Sequence, residues 1–194
     1  MSMRPDPRPL DVQRREYAAR RFLAMPLAGT AAWLVAGVAG LVLPERSAAL
    51  VLFIATGMIS YLGIFLSRLT GENFIDKRRP TNAFDVLFLH SVAMAVLVYS
   101  IAVPFYLVDR SALPLAVGIL TGLMWLPFSW VIQHWIGYFH TLVRTALVLA
   151  LWIAFPAQRF VLIPFAIVGV YAVTIAVFER RWRRLDGVGA AAFG

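Results

Sequence analysis

FLAMPLAGTAAWLVAGVAGLVLPERSAALVLFIATGMISYLGIFLS, residues 22–67, decides the fold class. It holds two charge-free runs, Phe22–Leu43 and Ser47–Ser67, separated only by Pro44, Glu45 and Arg46. A helix needs about 20 predominantly apolar residues to cross the hydrocarbon core of a bilayer, and each run is long enough. The stretch therefore reads as a tight hairpin of two membrane-spanning helices.

Four further apolar runs follow, at Ala83–Val108, Ala112–Ile132, Phe139–Phe155 and Phe160–Phe178. Between Ser111 and Val143 no charge occurs at all, which is too long for one span and short for two with a loop. The fifth helix is accordingly expected to carry Arg144 within its first turns. The chain as a whole is 61% hydrophobic and 14% charged, with mean hydropathy +0.77. Soluble domains carry about 25% charged residues, so water is not this chain's main solvent. Its 194 residues suit one helical domain. The fold class is all-α: a polytopic transmembrane helical bundle of six spans with both termini cytoplasmic. Residues 1–21 form a basic N-terminal extension and interfacial helix, 22–178 the six-helix transmembrane domain, and 179–194 a basic, then flexible, C-terminal tail.

The cations set the expected orientation. Of eighteen Lys and Arg, fourteen fall in the segments before the first span, between the second and third, and after the sixth. Arg46, Arg110 and Arg159 occupy the opposite loops, one each, and Arg144 lies inside a span. By the positive-inside rule both termini face the cytoplasm. The first apolar run exceeds the core of a cleaved signal peptide and leads directly into a second span, so none is expected. A bacterial inner membrane is the expected location. The net charge of +8 belongs to this topology and to contact with anionic lipid headgroups, not to nucleic acid. Asp11 to Arg21 reads as an interfacial helix with its arginines on lipid. The segment Gly71–Pro80 reads as a solvated, lipid-contacting loop. With no cysteine there is no disulfide, thiolate metal site or cysteine nucleophile.

Small residues recur at helical spacing: Ala28, Ala32, Ala36 and Gly40 in the first span, Gly118 and Gly122 in the fourth, Ala146, Ala150 and Ala154 in the fifth. Such faces let helix backbones approach closely in lipid, either within the bundle or across a homodimer seam. The six tryptophans fall mostly near expected span ends, as interfacial anchors do. Pro26, Pro104, Pro127 and Pro164 lie within or near spans. At Pro127 the missing donor would kink the fourth helix and free a carbonyl near Gly122 and Leu123, either as a static bend or to face a cavity or a cation.

The polar side chains gather toward one face. A cytoplasm-facing vestibule lined by Asp85, His90, Ser91, Gln133, His134, His140 and Arg144 is the candidate substrate-binding site, with Arg144 attracting an anion or pairing with Asp85, and His90 relaying a proton. The alternative is a structural Asp85–Arg144 pair with His134 and His140 at the headgroup boundary. Spacing argues against a metal: His134 and His140 are six apart, and Asp85 and His90, five apart on a helix, point about 140° from one another. No cofactor is implied, since no P-loop, dinucleotide fingerprint, GxSxG elbow or HExxH occurs.

Leu43-Pro44-Glu45-Arg46-Ser47-Ala48-Ala49-Leu50 followed by Gly57, together with Leu126-Pro127-Phe128-Ser129-Trp130 after Gly118 and Gly122, resembles a family of small bacterial membrane proteins catalogued as a domain of unknown function. The resemblance spans the N-terminal helix through the sixth span. It implies six helices and no activity, and no functional residue is carried over from it.

Three functions are compatible with these features. Kinked helices, small-residue packing and polar groups at one mouth favour a small transporter or channel for a solute or ion. A lipid-modifying intramembrane enzyme would use Asp85, His90, His134 and His140 as acid and base or around a metal. A membrane scaffold or accessory subunit needs none of them. An inverted three-helix repeat would favour transport, but only Pro26-Leu27-Ala28 is echoed, in Pro114-Leu115-Ala116.

Overall fold

The computed structural model describes residues 7–74 and 82–191, the stretch 186–191 by its backbone alone. The expectations for Arg4, for the loop residues Lys77, Arg78 and Arg79, and for the last three residues lie outside the described residues.

The described residues form helices and no strand. A short helix α1, Leu10–Ala18, precedes α2, Ala24–Val42. The second run is divided into α3, Glu45–Gly57, and α4, Ile59–Leu69, and the third into α5, Ala83–Leu97, and α6, Tyr99–Val108. The fourth is divided into α7, Ala112–Leu120, and α8, Trp125–Ile132. Helix α9 covers Ile136–Ala154, and α10, Arg159–Ala191, follows a single 3-10 turn. Among the described residues five stretches are long and apolar enough to cross a bilayer, and the α3–α4 pair, bent by 49°, makes a sixth when counted as one span. The chain is a polytopic helical membrane protein.

Each interruption has a local cause. Between α3 and α4 the Thr56 hydroxyl donates to the Leu52 carbonyl at 2.6 Å, a back-bond that bends helices, and Gly57 follows it. Helix α8 stops where Gln133 adopts a left-handed conformation, φ 51°. The connection to α9 is then only Gln133–Trp135, so α9 begins at Ile136 and not at Phe139. Arg144 is consequently the ninth of nineteen residues, about 12 Å along the axis at 1.5 Å per residue. The expectation of a position in the first turns is corrected to mid-helix. Helix α10 continues past Phe178 to Ala191, because its basic stretch Arg180–Arg184 is made of good helix formers; the Gly- and Ala-rich tail expected to be flexible is helical as far as Ala191.

Packing centres on α2 and α10. Ala24, Ala28, Trp33 and Ala36 of α2 are buried together with Ile163, Ile167 and Tyr171 of α10. Gly29 lies under the Tyr171 phenol, where an added Cβ would come within 2.4 Å of the ring. Gly40 meets the backbone carbonyl of Phe160, 2.2 Å from where a Cβ would be. The small faces of α2 and α7 are thus consumed within the bundle, whereas Ala146, Ala150 and Ala154 of α9 face outward. Span α5–α6 is peripheral, with 11% of its apolar window buried, and its Leu89, Met94, Leu97, Phe105 and Val108 are turned outward. Such a surface is stable only against lipid or a partner of equal polarity.

Tertiary contacts also define two ends. At one end Arg21 binds Glu179 through two bonds of 3.0 and 3.1 Å, Arg181 donates to the Ala18 carbonyl, and Arg14 donates to the Val131 carbonyl at 2.9 Å. The start of the first span therefore meets the finish of the sixth. At the other end Arg159 donates to the Trp152 carbonyl and to Ser111, and the Trp152 indole donates to the Ser111 carbonyl at 3.1 Å. Consecutive spans alternate in direction.

Candidate functional site

The site grows from the interruption in the fourth span. Around Gly118 and Gly122, both poor helix formers, the backbone tightens from i→i−4 to i→i−3 bonding. Gly122 N donates to Ile119 O at 2.9 Å, Leu123 N to Leu120 O at 3.3 Å, and Trp125 N to Gly122 O at 3.2 Å. In a regular helix the Gly122 amide would satisfy the Gly118 carbonyl; here that carbonyl is left open. Pro127 lies in the first turn of α8, where its missing donor is tolerated. The break is therefore one turn before the proline, not at it.

Arg144 fills the opening. Its Nε donates to the Gly118 carbonyl at 2.6 Å and its Nη2 to the Thr121 hydroxyl at 2.8 Å. Nη1 is 3.5 Å from Nε2 of His140, one turn earlier on α9. The guanidinium carbon is 5.2 Å from the centre of the Trp33 ring and 5.8 Å from that of Tyr171, within the range of cation–π attraction. Gly122 allows this approach, since a Cβ there would lie 3.1 Å from Arg144 Cδ. Arg144 is 1% exposed, which makes it among the most deeply buried side chains of the protein. Every partner it has among the described residues is neutral.

His140 is fully buried and held from three sides. Its ring stacks on Trp125 at 4.2 Å and meets the Tyr171 ring edge-on at 4.7 Å. Its Nδ1 is 2.9 Å from the Thr174 hydroxyl, and that hydroxyl donates its one proton to the Val170 carbonyl at 2.9 Å. Thr174 can therefore only accept from the ring, which assigns the proton to Nδ1 and leaves the Nε2 lone pair facing Arg144. The indole N–H of Trp33 is buried with no hydrogen-bond partner among the described residues. A buried donor without a partner costs about 1–3 kcal/mol, so the core holds a surplus of donors as well as a surplus of positive charge.

The seven residues expected to share one vestibule divide into five places. His140 and Arg144 form the core just described. The Asp85 carboxylate is not paired with Arg144; it accepts both terminal nitrogens of Arg20, one at 2.9 Å, from the loop after α1. His90 is exposed on α5, its Nδ1 donating back to the Val86 carbonyl at 2.8 Å, so it faces away from the core and is not placed to relay a proton to Arg144. Ser91 donates to Leu87 at 3.1 Å and lines a narrow apolar crevice with Tyr17, Phe88 and Phe128. Gln133 and His134 line an open cleft of about 330 Å³ at the bundle's end, with Arg14, Trp130 and Tyr138. Burial first, and the nearby positive charge of Arg181 second, hold the His134 imidazole below its ordinary pKa. Among the described residues no group of three or more His, Asp or Glu is arranged to hold a metal ion.

Helix α1 is tied to protein where lipid contact was expected. Gln13, 1% exposed, receives the Asn82 side chain on its carbonyl and the Ala83 amide on its side-chain oxygen, both at 2.8 Å. Arg14 covers carbonyls at the end of α8 and lies 4.3 Å above the Trp130 ring. Glu72 caps the start of α2 by accepting Leu23 N at 2.7 Å and Ala24 N at 2.8 Å. Thr121, Thr174, Trp33, Trp125 and Tyr171 went unmarked as site residues in the sequence. The one available signal was position: Thr174 and Trp33 fall well inside apolar runs, where an interfacial anchor has no use.

The chain belongs to the family of unknown function DUF7010, whose profile matches residues 12–181. No curated protein and no solved structure matches it.

Proposed function

We propose that this member of a family without assigned activity is a small transporter or channel-like protein that moves a small anion across the membrane, with Arg144 as the anion-binding group. The single observation that carries the reading is a fully buried arginine whose partners among the described residues are all neutral, seated mid-span on a carbonyl freed by a broken helix. A cation at that depth costs several kcal/mol unless it is compensated, and intramembrane arginines of this kind mark ion or substrate pathways. The Trp33 indole, over whose face Arg144 lies, has an N–H without a partner among the described residues, which supports the same reading, because an anion would supply its missing acceptor. Close packing at Gly118 and Gly122 favours a ligand of few atoms, such as a halide, nitrate or short carboxylate. The concentration of arginines at the end that carries α1 and the α10 tail supports cytoplasmic termini in a bacterial inner membrane. The lipid-modifying alternative has less support, since Asp85, His90, His134 and His140 lie in separate places.

The test is efflux from proteoliposomes loaded with chloride, nitrate or formate. Anion efflux above that of empty vesicles, lost in Arg144→Gln, is expected. Rates equal to those of protein-free vesicles for every anion would return the protein to the scaffold reading.

A further inference from the structure

Resting on the reading of Arg144 as an anion site, we infer that His140 makes the site proton-linked: the anion binds together with one proton, taken up on His140 Nε2. The argument is one of lone pairs. Nδ1 of His140 is committed as a donor to Thr174, whose own proton is committed to Val170, so Nε2 carries a lone pair. That lone pair and Nη1 of Arg144 face each other at 3.5 Å. An anion bridging them meets a donor on the arginine side and a repelling acceptor on the histidine side. A proton on Nε2 converts the second into a donor.

Without an anion the same proton is disfavoured, because it would set two cations 3.5 Å apart in a buried core. Proton and anion each remove the obstacle to the other, and linkage requires the effect to be reciprocal. Charge balances: the core holds +1 with His140 neutral, and +1 again once one proton and one monovalent anion have been added. The proton comes from the aqueous side that delivers the anion and leaves with it. Among the described residues the charged or titratable groups facing His140 are Arg144 on its own helix and Tyr171 from α10, while α8 presents Trp125.

Trp125 stacks on His140 and Trp33 lies against Arg144, so both reporters are built in. The experiment is titration of the purified full chain in detergent with sodium chloride and with sodium formate at pH 5.5, 6.5 and 7.5, followed by tryptophan fluorescence and calorimetry. Affinity should rise on acidification by up to about tenfold per pH unit, the limit for one proton per anion. His140→Gln supplies an amide donor that does not titrate, and its anion affinity should not vary with pH. Thr174→Val removes the acceptor that commits Nδ1, freeing the neutral ring to put its proton on Nε2, and should at least halve the pH slope. This second variant carries the test if His140→Gln does not fold. Arg144→Gln should bind neither anion at any pH. Anion binding that is independent of pH in the unmodified protein, or a full pH slope retained in His140→Gln or Thr174→Val, overturns proton linkage and leaves the anion site standing. Absence of binding at every pH overturns both.

Discussion

Arg21 and Arg144 are arginines of the same bundle held in opposite ways. Arg21 is partly exposed at an end, gripped by both oxygens of Glu179 and lying 4.6 Å above the Trp182 ring. Arg144 is buried mid-span and rests on a carbonyl, a hydroxyl, an imidazole lone pair and two ring faces. Water and a carboxylate neutralise the first, so its contribution is mainly to fix how α10 meets the start of α2. No carboxylate among the described residues neutralises the second. The difference separates a cation that organises the fold from one that is available to a ligand.

That contrast breaks most directly at Arg144 itself. Losing one partner of a buried charged contact typically costs about 2–5 kcal/mol, so Arg144→Gln should weaken chloride or formate binding by at least about thirtyfold, read by calorimetry. Arg21→Gln should leave the affinity within about twofold, since its charge is already paired and screened. Equal losses in both would erase the distinction.

Next in size is the contact that holds α8 against α9 and so sets the opening for Arg144. A Cβ on Gly137 would come within 2.4 Å of the Trp125 carbonyl, a backbone atom that cannot turn aside. Gly137→Ala should therefore destabilise the folded protein by about 1–3 kcal/mol and lower anion affinity as well, measured by thermal unfolding in detergent and by titration. A wild-type melting point would mean that the two helices do not touch there.

The end-of-bundle pair is expected to be weaker. Asp85 remains 45% exposed, and a double-mutant cycle over Arg20→Gln and Asp85→Asn should give about 1 kcal/mol of coupling in stability and none in anion affinity. A coupling that appears in affinity would connect α1 to the core.

The smallest effect concerns His134. Its folded state disfavours the charged imidazole, so the unfolded chain takes up a proton first as pH falls through about 6.5. This part of the stability is present above that pH and declines below it, ceasing to fall once the folded form also protonates. The melting point between pH 5 and 8 should drop less steeply in His134→Gln than in the unmodified protein, and identical profiles would remove the assignment.

Much of the architecture was legible because hydropathy is read along the chain. The lengths of the charge-free runs located the spans, and the one cation inside a run pointed to Arg144. His140 lies beside it, since four residues on a helix is one turn. The supposed partner Asp85 does not, because its choice of Arg20 depends on a loop that folds back from α1. Pro127 marked the correct helix to break, but the opened carbonyl is Gly118, one turn before the pair expected from the proline. Trp33 and Trp125 read as interfacial anchors and are core residues against Arg144 and His140.

By itself, then, the amino-acid sequence determined a multi-span helical membrane protein with one cation buried within it, because the cost of charge in hydrocarbon depends on each residue and its near neighbours. Only the tertiary structure decided that among the described residues this cation has no carboxylate, that a histidine lone pair faces it and that the indole it lies over has an N–H without an acceptor. Those are relations between α2, α7, α9 and α10, set by where glycines let backbones approach, and no property of a single helix contains them.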